Sequence, residues 1–348
     1  MPEFLDYLTR TIQHNCDIAD ARHGGAYTMC TYLMKMREYY RWEMRLPFGA
    51  LLPKDDLGDW LQRRETLWEQ LADADFQPLT VDGATIDPFD SETVNRTLIP
   101  RGLVYSGGLG SGSRPHFFLG RLHRHDDRRG FSILISDQEL ARDLGSPPAM
   151  ATERTVFLRR ESLRRLLWER LETWRWSRPR NALARAFACY RFEDDLEGAL
   201  EVMTEEELDA ACLHEVGEVL AGDRLGDQAW NDMLADLPHS RAELAARAVR
   251  DHLADCLSTL PALADGGRAA SLHFLVGSLS GMRKELFPAL ASAYQAWHED
   301  GDWNHLRQVA ARGADHWFAV GRQMLELHHG HAEAAVGPID ALVDRSRL

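Results

Sequence analysis

The residues best suited to chemistry lie in the C-terminal half of the chain. In Glu205–Leu220, a helical phase of about 100° per residue sets Leu208, Cys212, Val216 and Val219 on an apolar arc. His214 and Glu218 share another face as an i, i+4 pair able to chelate a metal, and Glu215 sits on the flank of the arc. Gly217 and Ala221 beside them permit close approach of another helix. In Arg241–Leu260, His252 falls near the edge of the stripe formed by Ala245, Val249, Cys256 and Leu260. In Asn304–His329, His316 shares the apolar side with Val309, Gly313 and Val320, and His273 shares a face with Gly277, Ser280 and Gly281. Histidines on several helices, with a carboxylate turned inward, can build a non-haem metal site in a bundle core. Iron or manganese would use imidazole plus carboxylate there, with an open position to activate oxygen or water. His214, Glu215, Glu218, His252, His273 and His316 are therefore the candidate ligands for iron or another divalent metal, with the reaction left open. The plainer alternative is that these histidines are satisfied by hydrogen bonds in the core or at helix ends. The paired Glu-x-x-His pattern of ferritin-like proteins is missing, since Glu326 and His329 point away from their helix's apolar stripe.

Three other constellations carry weaker signals. The run Ser106–Arg114 is rich in glycine, but Pro115 and a second strand follow it, so no helix N-terminus is aimed at a phosphate. A flexible hairpin loop is the favoured reading, and Arg114 is the residue to test for ligand binding. Near the N-terminus, His14, Cys16, Asp17, Asp20, Arg22, His23 and Cys30 cluster, yet the seven-residue spacing of Cys16, His23 and Cys30 is not a zinc knuckle. Buried small cysteines with helix-capping aspartates account for it more simply. Residues 101–180 hold 16 Arg against 9 Asp or Glu, and Arg159, Arg160, Arg164, Arg165, Arg170 and Arg175 accompany Trp168, Trp174 and Trp176. The helix Arg160–Trp176 could dock a partner protein, which would make the chain a non-catalytic interaction protein in place of a metal-dependent enzyme. Pairing of these arginines with the chain's own acidic groups is the favoured reading. No nucleophile elbow occurs.

The elements that must position these groups fall into three segments and a tail. Residues 1–75 read as helices, with Phe4, Leu5, Leu8 and Ile12 and then Met29, Leu33, Met36 and Tyr40 at helical spacing. Residues 76–158 read as short strands, including Leu103–Tyr105, His116–Leu119, Phe131–Ile135 and Thr155–Leu158, with one helical insertion expected over Gln138–Leu144. Residues 159–330 read as helices with short breaks, which favours an antiparallel bundle. Residues 331–348 are expected to be a loosely held tail. The fold class is α+β, mostly helical, with a small central, mainly antiparallel sheet and a C-terminal helical bundle.

Composition narrows the rest. The 348 residues carry a net charge of −14, which disfavours nucleic acid as a partner and leaves a small molecule or a protein. No apolar run approaches the ~20 residues of a membrane span, and the N-terminus lacks the features of a secretory leader. Five scattered cysteines argue against a disulfide framework, so a cytoplasmic location is expected. Only three lysines accompany 37 arginines, an excess that codon bias explains. The opening HNCDIADARHGG followed by YTMCTYLMKMREYYRWE, with SRPHFFLGRL, LHEVGEVLAG and HWFAVGRQML, resembles a bacterial protein family of unknown function. The resemblance covers most of the chain and implies no activity or site.

Overall fold

The computed structural model describes residues 2–110, 114–128 and 130–348. In chain order these form α1 (Pro2–His23), α2 (Met29–Glu43), α3 (Lys54–Leu71), β1 (Leu79–Val81), β2 (Ala84–Ile86), α4 (Ser91–Leu98), β3 (Leu103–Leu109), β4 (Pro115–Arg128) and β5 (Phe131–Arg142). Then come β6 (Ala149–Thr152), β7 (Thr155–Arg159), α5 (Arg160–Ser177), α6 (Ala182–Ala188), α7 (Leu196–Leu225), α8 (Asp227–Asp236) and α9 (Arg241–Ala254). A π-turn, Asp255–Thr259, leads into α10 (Leu260–Gly266), followed by α11 (Ala269–Ser278), α12 (Gly281–Leu286), α13 (Pro288–Asp300), α14 (Asn304–His331) and α15 (Val336–Asp344). The chain is α+β and mostly helical. It divides into two units, and the two N-terminal segments distinguished in the sequence fall largely within the first.

The first unit takes in most of the chain up to Trp168. Its sheet runs β3-β4-β5-β7, with β3 antiparallel to β4 in the register Leu103↔Arg121 to Leu109↔Pro115. α1 lays Leu8, Ile12, Cys16 and Ala19 on this sheet beside Phe117 and Leu119. Asn15, Asp17 and Asp20 of its opening motif are buried and act as anchors. Asn15 exchanges two hydrogen bonds with the Gln77 backbone, at 2.8 and 2.7 Å. Asp17 accepts from Arg64 at 2.8 Å and Trp68 at 3.3 Å, and Asp20 accepts the Leu144 N–H at 2.9 Å. The Cys16 thiol donates to the Phe117 carbonyl, and burial pushes its pKa up, so it is a packing residue and not a thiolate.

Two expectations for this unit are corrected. Gln138–Leu144 is not a helical insertion: β5 continues to Arg142, because pairing and burial of Glu139 outweigh the local helix preference of Gln-Glu-Leu-Ala-Arg. The glycine-rich run is not all loop either, since β3 extends through Leu109. A Cβ at Gly107 would collide with the Pro88 carbonyl oxygen, so this glycine serves close packing. Residues 111–113 of that run lie outside the described residues. Beneath the sheet, Glu139 and Arg159 are fully buried and paired, Oε1 to Nε 2.8 Å. Glu139 also accepts from Ser162 Oγ at 2.5 Å, and the Arg159 guanidinium lies 4.4 Å from the Phe118 ring centroid.

The second unit is built mainly from Glu169–Leu348. Its core gathers Trp230, Met233, Leu253, Leu260, Leu290, Trp317, Val320 and Met324. α9 neighbours α7, α14 and α15. Glycines set how closely these helices approach. A Cβ on Gly217 of α7 would fall on the Ala254 backbone, and one on Gly313 of α14 would lie 2.5 Å from Cys256 Sγ. Gly217→Ala is therefore expected to cost about 1–3 kcal/mol, because a backbone must move to admit the methyl. Gly58→Ala, in open space on α3, should instead stabilise by about 0.5–1 kcal/mol. Urea midpoints of the two variants check the contrast in sign.

The stretch Ala269–His298, within the segment read as helices with short breaks, forms three helices. It breaks at Leu279–Ser280, next to Gly281 with its φ of +49°, and again before Pro288. In place of a loose tail, α15 buries Ile339, Leu342 and Val343, and the Leu348 carbonyl accepts from the Ala289 N–H at 2.9 Å. Apolar spacing in Val336–Val343 was the available signal for this helix.

Candidate metal centre

α7 carries His214, Glu215 and Glu218, and α9 carries Asp251, one turn before Asp255 opens the π-turn. A ring nitrogen of His214, an oxygen of Glu218 and an oxygen of Asp251 all lie within 4.8 Å of one another, and the three residues are half-buried. The close approach that Gly217 allows brings these faces together. The i, i+4 spacing puts His214 and Glu218 on one side of α7, and α9 supplies the third group.

Each of these groups is held from behind. His214 Nδ1 donates to Asp255 Oδ1 at 2.8 Å, which leaves Nε2 as the nitrogen for an ion. Arg250 Nε donates to Glu218 Oε2 at 2.7 Å, and its Nη2 reaches Asp227 at 2.8 Å across the space left by Gly222. Arg283, from α12, pairs with Asp255 and lies 3.4 Å from Asp251 Oδ2. Glu218 Oε1 is buried and has no hydrogen-bond partner among the described residues. A buried carboxylate oxygen left in this condition is an acceptor in want of a proton or a cation.

Burial and neighbouring charges set the protonation of these groups. Burial opposes charge on His214, but Asp255, Glu215 and Glu218 override it and raise its pKa to about 10. Burial pushes Glu215 up to about 7, with Glu218 and Asp251 adding to the shift against His214. Glu218 is raised by burial in the same way. Burial also works against the Asp255 carboxylate, but Arg283 and His214 hold it well below the usual range. Four carboxylates thus face two arginines, and the imidazolium supplies part of the missing positive charge. A divalent cation on a neutral His214 would complete the balance.

The remaining sequence candidates lie apart from these three donors. His252 is fully buried, stacked on Trp317 at 5.1 Å, and donates Nε2–H to the Arg283 carbonyl at 2.8 Å. Burial and Arg283 lower its pKa to about 4, so it is neutral and positions the segment that carries Arg283. His273 Nδ1 takes the hydroxyl hydrogen of Tyr294 at 2.8 Å, the same oxygen accepting from Arg185 at 3.0 Å. His316 donates to the Ser346 carbonyl at 2.7 Å. Asp251, Asp255, Arg250 and Arg283 were missed by sequence reasoning. The i, i+4 pair Asp251/Asp255 on a helix neighbouring His214 was the signal that could have found them.

In the first unit, the Arg114 guanidinium lies 5.9 Å from the Tyr27 ring centroid. In α5, Leu163, Leu167, Trp168 and Leu171 are buried, Arg165 faces Glu38 and Glu161, and Arg160 pairs with Asp137 at 2.9 Å. Trp174 Nε1 donates to the Pro179 carbonyl, and Trp176 is 79% exposed. Most of the Arg/Trp helix is thus engaged within the chain. No helix of the described residues is long and apolar enough to cross a membrane.

The family model for the N-terminal domain of a family of unknown function (DUF6866) matches residues 7–159, and that for its C-terminal domain matches residues 164–346. The chain belongs to this family. No curated protein and no solved structure matches it.

Proposed function

We propose that the chain is a metal-dependent enzyme whose ion is held by His214, Glu218 and Asp251. The observation that carries this reading is the convergence of three donors from two helices on one point, with Glu218 Oε1 buried and unpartnered there. One imidazole and two carboxylates, with no thiolate, suit Fe²⁺, Mn²⁺ or Zn²⁺. Three protein ligands leave coordination positions open, and an ion so bound lowers the pKa of water or polarises a carbonyl. Asp255 fixes the His214 ring, and Arg250 fixes Glu218, as partners behind metal ligands do. A cytoplasmic location accords with Cys16, Cys30, Cys189, Cys212 and Cys256 all being free thiols.

Metal analysis and calorimetry test the proposal. The chain purified anaerobically should take up one equivalent of Fe²⁺, Mn²⁺ or Zn²⁺. His214→Ala and Glu218→Gln should each weaken that uptake by at least about 100-fold while the circular dichroism spectrum is retained. Wild-type protein that binds none of the three ions, or His214→Ala that binds as wild type, would refute it.

A further inference from the structure

The chain holds 54 acidic residues for 40 lysines and arginines, so a surface arginine has carboxylates to spare. Early in α5 such pairs are made, Arg160 with Asp137 and Arg165 with Glu161. At the end of α5 and in the turn after it they stop. Among the described residues, the guanidinium groups of Arg175, Arg178 and Arg180 have no hydrogen bond, ion pair or ring contact.

The aromatic residues divide in the same way. Trp174 packs on Phe187, ring centroids 5.4 Å apart, and its Nε1–H donates to the Pro179 carbonyl at 3.1 Å. Trp176, two residues on and so on the other side of the helix, leaves 79% of its surface to solvent. An exposed indole thus sits among three unpartnered guanidinium groups, the residue types that carry most of the energy at protein interfaces. The turn is also ordered before anything binds. The Arg178 N–H donates to the Trp174 carbonyl at 2.8 Å, and the Asn181 N–H to the Pro179 carbonyl at 3.0 Å. Arg178 itself takes a φ of +43°, a left-handed conformation that favours glycine at a helix end. A rigid turn lowers the entropy lost on docking.

We infer, independently of the metal reading, that Trp176 with Arg175, Arg178 and Arg180 docks an acidic, apolar-containing segment of a separate protein. Charge selects this partner. Guanidinium forks pair with carboxylates through two parallel hydrogen bonds, and the indole covers an apolar side chain between them. A long polyanion such as nucleic acid would run past the patch onto a chain whose net charge is −14. A second copy carries that same net charge and is repelled. A short acidic segment meets only the cations, because physiological salt screens charges beyond about 8 Å.

Fluorescence anisotropy of a fluorescein-labelled peptide repeating Glu-Glu-Leu, titrated with the full chain, tests this. The peptide should bind saturably, and more weakly as salt is raised. Trp176→Ala, and Arg178→Gln combined with Arg180→Gln, should each weaken binding at least about 10-fold with little change in melting temperature. Arg178→Gly separates docking from folding: relief of the left-handed φ should raise the melting temperature while affinity falls. No saturable binding, binding that survives Trp176→Ala, or tighter binding of oligodeoxythymidylate than of the peptide would overturn the inference. A dimer in sedimentation that Trp176→Ala disperses would also overturn it, by assigning the face to a second copy.

Discussion

Glu139→Ala is expected to lower the unfolding free energy by about 3–5 kcal/mol, read as a shift of the urea midpoint at pH 7. Glu139 and Arg159 are both fully buried, so the substitution leaves a guanidinium without its counter-charge in the interior. Ser162, which donates to the same carboxylate, would lose its partner as well. Burial opposes the Glu139 carboxylate, but Arg159 and Arg142 override it and hold the pKa down to about 2. The pair's contribution is therefore complete above the unfolded carboxylate value near 4.5 and fades as the pH falls towards 2. The difference between wild type and Glu139→Gln should narrow over that same window. Converting both partners, Glu139→Leu with Arg159→Met, should cost less than either single change, because no lone charge remains. A double variant as damaged as the sum of its parts would show that the two side chains do not act as a pair.

Glu207→Gln is expected to have the opposite sign. Glu207 on α7 is 4% exposed, with Oε1 lacking any hydrogen-bond partner among the described residues. Burial, reinforced by Glu206 and opposed by Ser271 and Arg268, pushes its pKa up to about 7. A carboxyl whose folded value is raised holds its proton more tightly in the native state. Its contribution is thus intact below pH 4.5 and is lost as the pH rises through 7. Over that interval wild type should surrender about 3 kcal/mol, at about 1.4 kcal/mol per pKa unit. Glu207→Gln should escape this loss, melting above wild type at pH 8 and close to it at pH 4. A difference that does not change between these two pH values would locate the effect in packing and not in ionisation.

Much of the fold could be read from apolar period alone. The α1 positions Leu8 and Ile12, the β4 run Phe117–Leu119 and the stripe of α14 are buried as their spacing predicts, because a single face had to be covered. Where the reading failed, a distant partner decided the outcome. Gln138–Arg142 has a helix-forming composition, yet Glu139 is drawn into a strand by Arg159, twenty residues on. The break at Leu279–Ser280 adjoins a positive φ at Gly281 that apolar spacing does not encode.

The candidate site divides along the same line. His214 and Glu218 were legible because an i, i+4 pair is local. Asp251 was not, because nothing in the sequence says which face of Arg241–Leu260 turns towards α7. Three of the histidines read as candidate ligands, His252, His273 and His316, are bound to carbonyl or hydroxyl groups. Burial beside an apolar stripe selects for a satisfied ring, whereas an ion needs donors on a half-open rim.

The five-residue π-turn after α9 lies between the Asp255 contact with His214 and the α10 seam. Its wider winding adds one residue to the rotation between Asp251 and Leu260, so a fixed 100° step misplaces everything beyond Asp255. Deleting a single residue from Asp255–Thr259 would restore ordinary winding and leave Leu260, Leu263 and Ala264 facing the apolar interior, because the wider turn absorbs the extra residue. Loss of the extra residue should therefore spare the α10 seam and alter only the turn that begins at Asp255, the residue behind His214.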